Sequence, residues 1–200
     1  MIILIIALGI IMLPVVYNVF FPLKKPDLSN YFKPGQTYSS KGEGITQTII
    51  RQEDNKVYCE LRFAPFAPGP PEHMHEQMPE TIQVVQGTLS AKINGEVVQI
   101  HEGERVNLPA GVFHKIFNQT DKEVVLRPQL PEDHIPVEFA YSLDQLYPLM
   151  TSKNLTLKMF AKICVLDELF DSIPVGPPPA VFRFIKKAVK PYARLFGVKP

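Results

Sequence analysis

Four residues in two short stretches have the types and spacing of a metal site. His73, His75 and Glu80 lie in "PPEHMHEQMPETIQVVQG", just ahead of an apolar run. A further histidine, His114, follows a Pro-Ala-Gly turn in "GERVNLPAGVFHKIFN". Neutral imidazole is a good ligand for Zn, Cu, Fe and Ni, and a carboxylate can complete such a set. The H-x-H pattern alone is weak evidence, because two exposed or hydrogen-bonded histidines would look the same.

Strand periodicity gives these side chains a common direction. Residues two apart in an extended strand project to the same side, so the two histidines of H-x-H point together. The strand that begins at Glu80 puts this carboxylate on the same face as Ile82 and Val84. If that apolar face is inward, the buried charge has a large desolvation cost. A cation between carboxylate and imidazoles would remove the cost, and so would a salt bridge to an arginine such as Arg62.

The third histidine follows the same reasoning. After the turn, a strand resumes with His114, Ile116 and Asn118 on one face, and Ile116 marks that face as inward. His114 therefore joins the other three groups where the strands are adjacent. The remaining histidines, His101 and His134, lie near turns and are expected at the surface.

The elements that must position these residues have the pattern of short strands between turns. From residue 45 to residue 140 apolar and polar residues alternate, as in "KVYCELRFA", and Gly, Pro and Asn separate the runs. Asn94 and Gly95 between two such runs are typical of a two-residue hairpin. Many short strands without helices between them predict a mainly β fold, a sandwich or barrel.

Taken together, the two stretches resemble the cupin superfamily. Its first motif is H-x-H, three or four residues, E, six residues and G, which fits residues 73–87. Its second is G, five residues, P-x-G, two residues, H, three residues and N, which fits residues 103–118. One departure is the glycine that the superfamily has further upstream, since Gly69 lies slightly too close to the first histidine.

The resemblance covers residues 45–140 and implies an antiparallel β-barrel, or jelly roll, with one metal inside. The implied ion is divalent, one of Fe, Mn, Ni, Cu or Zn. By the superfamily pattern its ligands are His73, His75, Glu80 and His114. The expected lining of the cavity around it consists of Phe63, Gln77, Ile82, Val84, Leu89 and Ile116.

Two functions are compatible with such a site. The first is a metal-dependent oxidoreductase of the dioxygenase type, because four protein ligands on a six-coordinate metal leave open positions. The second is a non-catalytic, metal-stabilised module that binds or senses a small molecule. No catalytic acid or base is evident beyond the ligands. In either case the expected partner is a small organic molecule.

The two ends of the chain differ from the barrel. Residues 1–23 have no charged side chain, which predicts a single-pass membrane anchor and contact with membrane lipid. Lys24 and Lys25 then favour a cytoplasmic position for the following domain. Residues 24–44 are rich in Lys, Pro, Asp, Ser, Asn and Gly and are predicted to be a linker.

Residues 141–200 are predicted to form a helical tail. Its last part, residues 180–200, combines an apolar stripe with six basic residues and no acid. This amphipathic segment is expected to lie on an anionic lipid surface, to pack on the barrel, or to join a homodimer interface. Pro191 is expected to kink or end its helix.

The distribution of charge and the cysteine content limit the classes of partner and of disulfide chemistry that the sequence allows. The last acidic residue is Asp171, so 15 basic and 20 acidic residues precede a basic tail. An acidic body argues against nucleic acid as the main partner. Cys59 and Cys164 lie far apart without a C-x-x-C motif, which favours two reduced, buried thiols over a disulfide framework.

Overall fold

The computed structural model describes residues 12–151 and 154–200, which are mainly antiparallel β-strands with helices after the barrel. The first sheet has the order β1-β2-β3-β10-β5-β8, with β11 paired to one end of β3. Its strands are β1 (Thr37–Ser40), β2 (Ile45–Glu53), β3 (Lys56–Phe63), β5 (Glu80–Gln86), β8 (Arg105–Leu108), β10 (Val124–Leu126) and β11 (Ile135–Pro136).

The second sheet has the order β12-β4-β9-β6-β7 and is also antiparallel. It contains β4 (His73–Met74), β6 (Thr88–Ile93), β7 (Glu96–His101), β9 (His114–Phe117) and β12 (Ile173–Pro174). The last of these strands comes from far outside the predicted barrel and pairs with β4. The C-terminal part of the chain therefore completes a sheet.

The alternating apolar residues of the two sheets face a shared core. Ile45 and Phe63 of the first sheet pack with Leu89 and Ile116 of the second. All four are at most 4% exposed. This burial is the main stabilising term of the barrel, since each large aliphatic or aromatic side chain contributes roughly 1.5–3 kcal/mol.

Helices close one end of the barrel. They are α2 (Val137–Leu146), α3 (Leu157–Leu166) and α4 (Pro179–Leu195). Ile49 of β2 and Val57 of β3 belong to a second core that includes buried residues of these three helices. Because Ile45 and Ile49 lie on the same face of β2, the barrel core and the helix core are continuous along this strand.

The C-terminal helix is packed on the protein along one face. Phe182, Lys186 and Ala193 are buried, and the ammonium group of Lys186 donates to the carbonyl oxygen of Asp167 (3.2 Å). Pro191 was predicted to kink or end the helix; it lies inside α4 and therefore does not end it, and the kink stays a prediction. The predicted homodimer stays a prediction.

The segment predicted as a linker is partly built into the fold. Leu28 and Phe32 are buried in the helix core, and residues 37–40 form β1. The alternation of β1 explains this, because Tyr38 and Ser40 face inward while their neighbours are exposed. This short edge strand was not predicted, because a composition rich in Lys and Pro is typical of a linker.

The predicted membrane location is corrected by the structure. In residues 12–151 and 154–200 no helix is long and apolar enough to cross a membrane. Within the predicted anchor, residues 12–20 form the helix α1. Residues 1–11 of the predicted anchor lie outside the described residues.

Two glycines at positive φ lie where the backbone of the barrel makes a tight turn or passes close to another strand. Asn94 (φ 50°) and Gly95 (φ 93°) form the predicted two-residue hairpin, with Ile93 opposite Glu96. Gly69 (φ 66°) passes so close to β9 that a Cβ would meet the carbonyl oxygen of Ile116 at 1.8 Å. Only glycine fits this position, although its spacing departs from the superfamily pattern.

We expect Gly69→Ala to destabilise the protein by at least about 3 kcal/mol, because the new methyl group displaces backbone as well as straining φ. Gly95→Ala is the matched control, with positive φ but nothing within 4 Å of the added carbon. It should cost only about 1 kcal/mol. Urea unfolding followed by circular dichroism measures both, and equal losses would contradict this account of Gly69.

Candidate metal centre

Both sheets contribute to one cluster of potential ligands. His73 on β4 and His114 on β9 are cross-strand partners, and their ring centroids are 4.6 Å apart. His75 follows β4, and Glu80 is the first residue of β5. One ligand atom of each lies within 4.8 Å of the others. The structure thus brings together the four side chains that the sequence singled out, in a group that could hold a metal ion.

Each imidazole is oriented by a backbone carbonyl at Nδ1. The oxygen of Pro71 accepts from His73 (2.8 Å), that of Val112 accepts from His114 (3.0 Å), and that of Asp171 accepts from His75. A neutral imidazole that donates through Nδ1 has only a lone pair on Nε2. The backbone therefore selects the tautomer in which Nε2 is free to bind a metal.

The Nε2 atoms of His75 and His114 converge on one carboxylate oxygen. Oε2 of Glu80 is 2.8 Å from Nε2 of His114 and 3.3 Å from Nε2 of His75. Lone pairs at such distances repel one another unless a proton or a metal cation lies between them. Two ligands of a single ion lie at most about 4.2 Å apart, so the cluster fits a metal after small movements. The alternative partner is excluded, because Arg62 pairs with Glu60 (2.6 Å) and Glu123 (2.7 Å).

Protonation in the cluster follows from burial and neighbouring charge. Burial, with the nearby His75, lowers the pKa of His73 to about 4. Burial would also lower the pKa of His114, but the hydrogen bond and charge of Glu80 outweigh it and raise this pKa. For Glu80 burial is likewise outweighed, and hydrogen bonds from His114 and His75, which these rings donate when protonated, hold its pKa well below the usual range. The carboxylate is thus kept ionised for a cation.

A residue from the C-terminal part of the chain fixes the loop between the ligands. The carboxylate of Asp171 accepts three backbone N–H groups, from Glu76 (2.9 Å), Gln77 (2.9 Å) and Met78 (3.1 Å). Its carbonyl oxygen also accepts from His75. Asp171 therefore positions both a ligand and the turn that leads to Glu80. No local pattern in the sequence points to this role.

Aromatic rings from the helical part shield the cluster. Phe139 of α2 meets the ring of His75 edge-on at 5.1 Å, and Phe170 stacks on Phe139 at 5.9 Å. Such apolar cover lowers the local dielectric and strengthens charge interactions at the cluster. The helices are thus part of the candidate centre.

A cavity of about 580 Å³ adjoins the cluster, and His73, His75 and Glu80 are part of its wall. Of the predicted lining residues, Ile116 lines the cavity, whereas Gln77 is exposed. Phe63, Ile82, Val84 and Leu89 pack against one another in the barrel core and do not contribute to the described lining. The wall is instead largely apolar and includes helix residues such as Phe139 and Phe160.

The other histidines lie outside the cluster. His101 is exposed near Oγ1 of Thr88 (3.3 Å), and His134 donates from Nδ1 to the carbonyl oxygen of Pro131 (3.2 Å). His134 is half-buried and lines the cavity rather than lying fully at the surface. Two further cavity residues, Glu43 and Tyr147, were missed because the first lies in the apparent linker and the second in the helical tail.

Comparison with known proteins agrees with this architecture. Residues 60–127 match the family model described as "Cupin domain". This part of the chain is thus supported as a cupin domain. The match includes all four residues of the cluster, and the helices lie beyond it.

Several solved structures resemble parts of the chain. KdgF from Halomonas sp. is 18% identical over 48% of this chain and 90% of its own, with a TM-score of 0.39. A cupin-superfamily sugar phosphate isomerase from Silicibacter pomeroyi is 21% identical over 54% and 77%, with a TM-score of 0.37. An RmlC-like cupin from Shewanella frigidimarina is 21% identical over 52% and 96%, with a TM-score of 0.40. No curated protein matches the chain.

We predict that His114→Ala sharply lowers the metal content of the purified protein, because it removes a ligand atom from the centre of the cluster. His134→Ala is the control, since this ring lies outside the cluster. Elemental analysis by inductively coupled plasma mass spectrometry measures both. Equal metal content in the two variants would refute the assignment.

Metal affinity should fall as the pH is lowered, since only neutral imidazole coordinates. The pKa of His114 is raised above its ordinary 6.5, so competition by protons should begin above pH 6.5. His73, with a pKa of about 4, should add competition only near that pH. Chelator competition between pH 8 and 5 should show about a tenfold loss per pH unit for each displaced proton. Constant affinity down to pH 5 would contradict this.

Asp171→Ala should weaken metal binding about 10- to 100-fold, the usual effect of losing a group that orients the ligands. The variant leaves three backbone N–H groups without their acceptor and frees the loop between His75 and Glu80. Asp121→Ala removes an exposed aspartate elsewhere and serves as control. The same chelator competition compares them. Wild-type affinity in the Asp171 variant would show that the loop keeps its shape unaided.

Proposed function

We propose that this cupin domain is a metal-dependent oxidoreductase, of the dioxygenase type, that acts on a small organic molecule. One divalent ion, Fe, Mn, Ni, Cu or Zn, would be held by His73, His75, Glu80 and His114. The proposal rests on one observation: three imidazoles whose Nδ1 atoms are fixed by carbonyls cluster with one carboxylate beside a cavity, and His75 and His114 turn their Nε2 atoms to it.

The number and type of donors support chemistry rather than a closed structural site. Structural zinc sites use four ligands, and catalytic sites keep a position open. Metals of this series accept six ligands in many proteins, so four side chains leave positions for water, dioxygen or substrate. A cluster on the wall of a cavity of about 580 Å³ gives a substrate access to such positions.

A bound metal would supply Lewis acidity and a site at which substrate and dioxygen meet. The protein side chains have separate tasks. Glu80 stays ionised and lowers the net charge of a divalent site with three neutral imidazoles to +1. Phe139 and Phe170 exclude water from one side. Asp171 holds the ligand loop rigid, which limits reorganisation during a reaction.

The test combines metal analysis with oxygen uptake. Protein purified from its native host is analysed for metal, and an oxygen electrode then follows uptake with quercetin, catechol and linoleic acid as probes. We expect uptake that requires the metal found and is lost in His114→Ala. Saturable probe binding without oxygen consumption, under every metal of the series, would instead support the non-catalytic binding module.

A further inference from the structure

Two buried acceptor groups at the cavity wall lack a cationic partner, and one of them lacks any donor. Glu43 is 8% exposed and Gln47 is 1% exposed, and both line the cavity. Within residues 12–151 and 154–200 no basic side chain forms an ion pair with Glu43. Oε1 of Gln47 accepts no hydrogen bond there, while its Nε2 donates to the sulfur of Cys59. We call Glu43 and Gln47 the acceptor pair.

Backbone contacts hold Glu43 in place. The N–H of Gly42 donates to the carbonyl oxygen of Met150 (2.7 Å), and the N–H of Gly69 donates to that of Glu43 (3.1 Å). Gly44 has a φ of 69° and its position for a Cβ is only 2.8 Å from Cβ of Ala67. These contacts keep the carboxyl group of Glu43 at the cavity wall, whereas the carboxyl group of a mobile surface residue would turn toward water.

The charge of Glu43 is unfavourable in its surroundings. Burial raises its pKa to about 7, against a smaller opposing effect of the Ser40 hydroxyl. Near neutral pH the carboxyl therefore either gives up its charge or needs a positive partner. Buried polar groups are normally satisfied, and unsatisfied ones at a cavity are candidates for ligand recognition.

The acceptor pair and the metal centre share the same cavity. Tyr147 interacts electrostatically with both sites. Burial raises its pKa, and the charges of Glu43, Cys59 and Glu80 raise it further. Most of the remaining wall is apolar, with Val57, Leu61, Leu126, Phe139, Met150 and Phe160 among its residues. A complementary molecule is therefore apolar along its body and carries a donor at one end.

We propose that the cavity binds an apolar organic molecule with a hydrogen-bond-donating head group, an ammonium or a hydroxyl, which the acceptor pair holds. Glu43 would accept from an ammonium or hydroxyl group, and Oε1 of Gln47 would take a second donor. The apolar body would lie along the wall shared with the metal centre. That this molecule is also a substrate rests on the proposed function.

Calorimetric titration of the full-length, metal-loaded protein with octylamine, 1-octanol and methyl octyl ether tests the proposal. The three probes share an alkyl chain, and the ether accepts hydrogen bonds but does not donate them. Glu43→Gln keeps an acceptor without charge, and Glu43→Met removes both. Glu96→Gln, at an exposed position on β7, is the control. Circular dichroism checks that each variant is folded.

The wild type and the Glu96 control should bind amine and alcohol at least about tenfold more tightly than ether. Glu43→Gln should lose the preference for the amine and keep that for the alcohol, and Glu43→Met should lose both. Ether binding as tight as amine and alcohol binding overturns the proposal. So does an amine preference that survives in Glu43→Met, because the metal would then explain it.

If the Glu43 variants do not fold, Gln47→Met decides, and an unchanged preference over the ether overturns the proposal. The proposed function is separately tested by oxygen uptake. Head-group preference without oxygen consumption supports this inference alone. Oxygen consumption without head-group preference overturns the inference and leaves the proposed function intact.

Discussion

A carboxylate enclosed by imidazole nitrogen atoms needs a positive charge beside it, and the surrounding structure is arranged around this need. Strand alternation brings Glu80 inward with Ile82 and Val84, so the fold cannot bury its apolar face without burying the charge. Backbone carbonyls accept from Nδ1 of His75 and His114, so in the neutral state the lone pairs of their Nε2 atoms, not N–H groups, face the carboxylate. In this arrangement of groups, a site that holds a cation is more favourable than an empty one.

The barrel alone does not build this site. A carbonyl oxygen and a carboxylate of Asp171, together with the strand β12, hold the loop and strand that carry two of the histidines. The ring of Phe139 covers one imidazole from outside the sheets. The segment after the barrel therefore supplies orientation and shielding, while the strands and the loop after β4 supply the ligands. Such a division makes the metal centre sensitive to changes in the helical part.

The parts predictable from sequence are those encoded by local patterns. Period-two alternation places Glu80 and His114 inward, and the Asn94-Gly95 pair marks a hairpin, because both depend only on neighbouring residues. Asp171 is not predictable in this way, since its backbone partner Glu76 is 95 residues away. Glu43 was missed because Lys and Gly around it resemble a linker. The membrane location was wrong, since the part of the chain that the structure describes has no helix long and apolar enough to cross a membrane.

The contact between the loop after β4 and the segment around Asp171 also has a consequence for biosynthesis. Chains emerge from the ribosome N-terminus first, and domains begin to fold as they emerge. All four candidate ligands are made by residue 114, but the groups that orient one of them follow nearly 60 residues later. A selective, fully oriented centre therefore exists only when most of the chain has been synthesised. Binding of a metal ion by the complete cluster would accordingly be a late event.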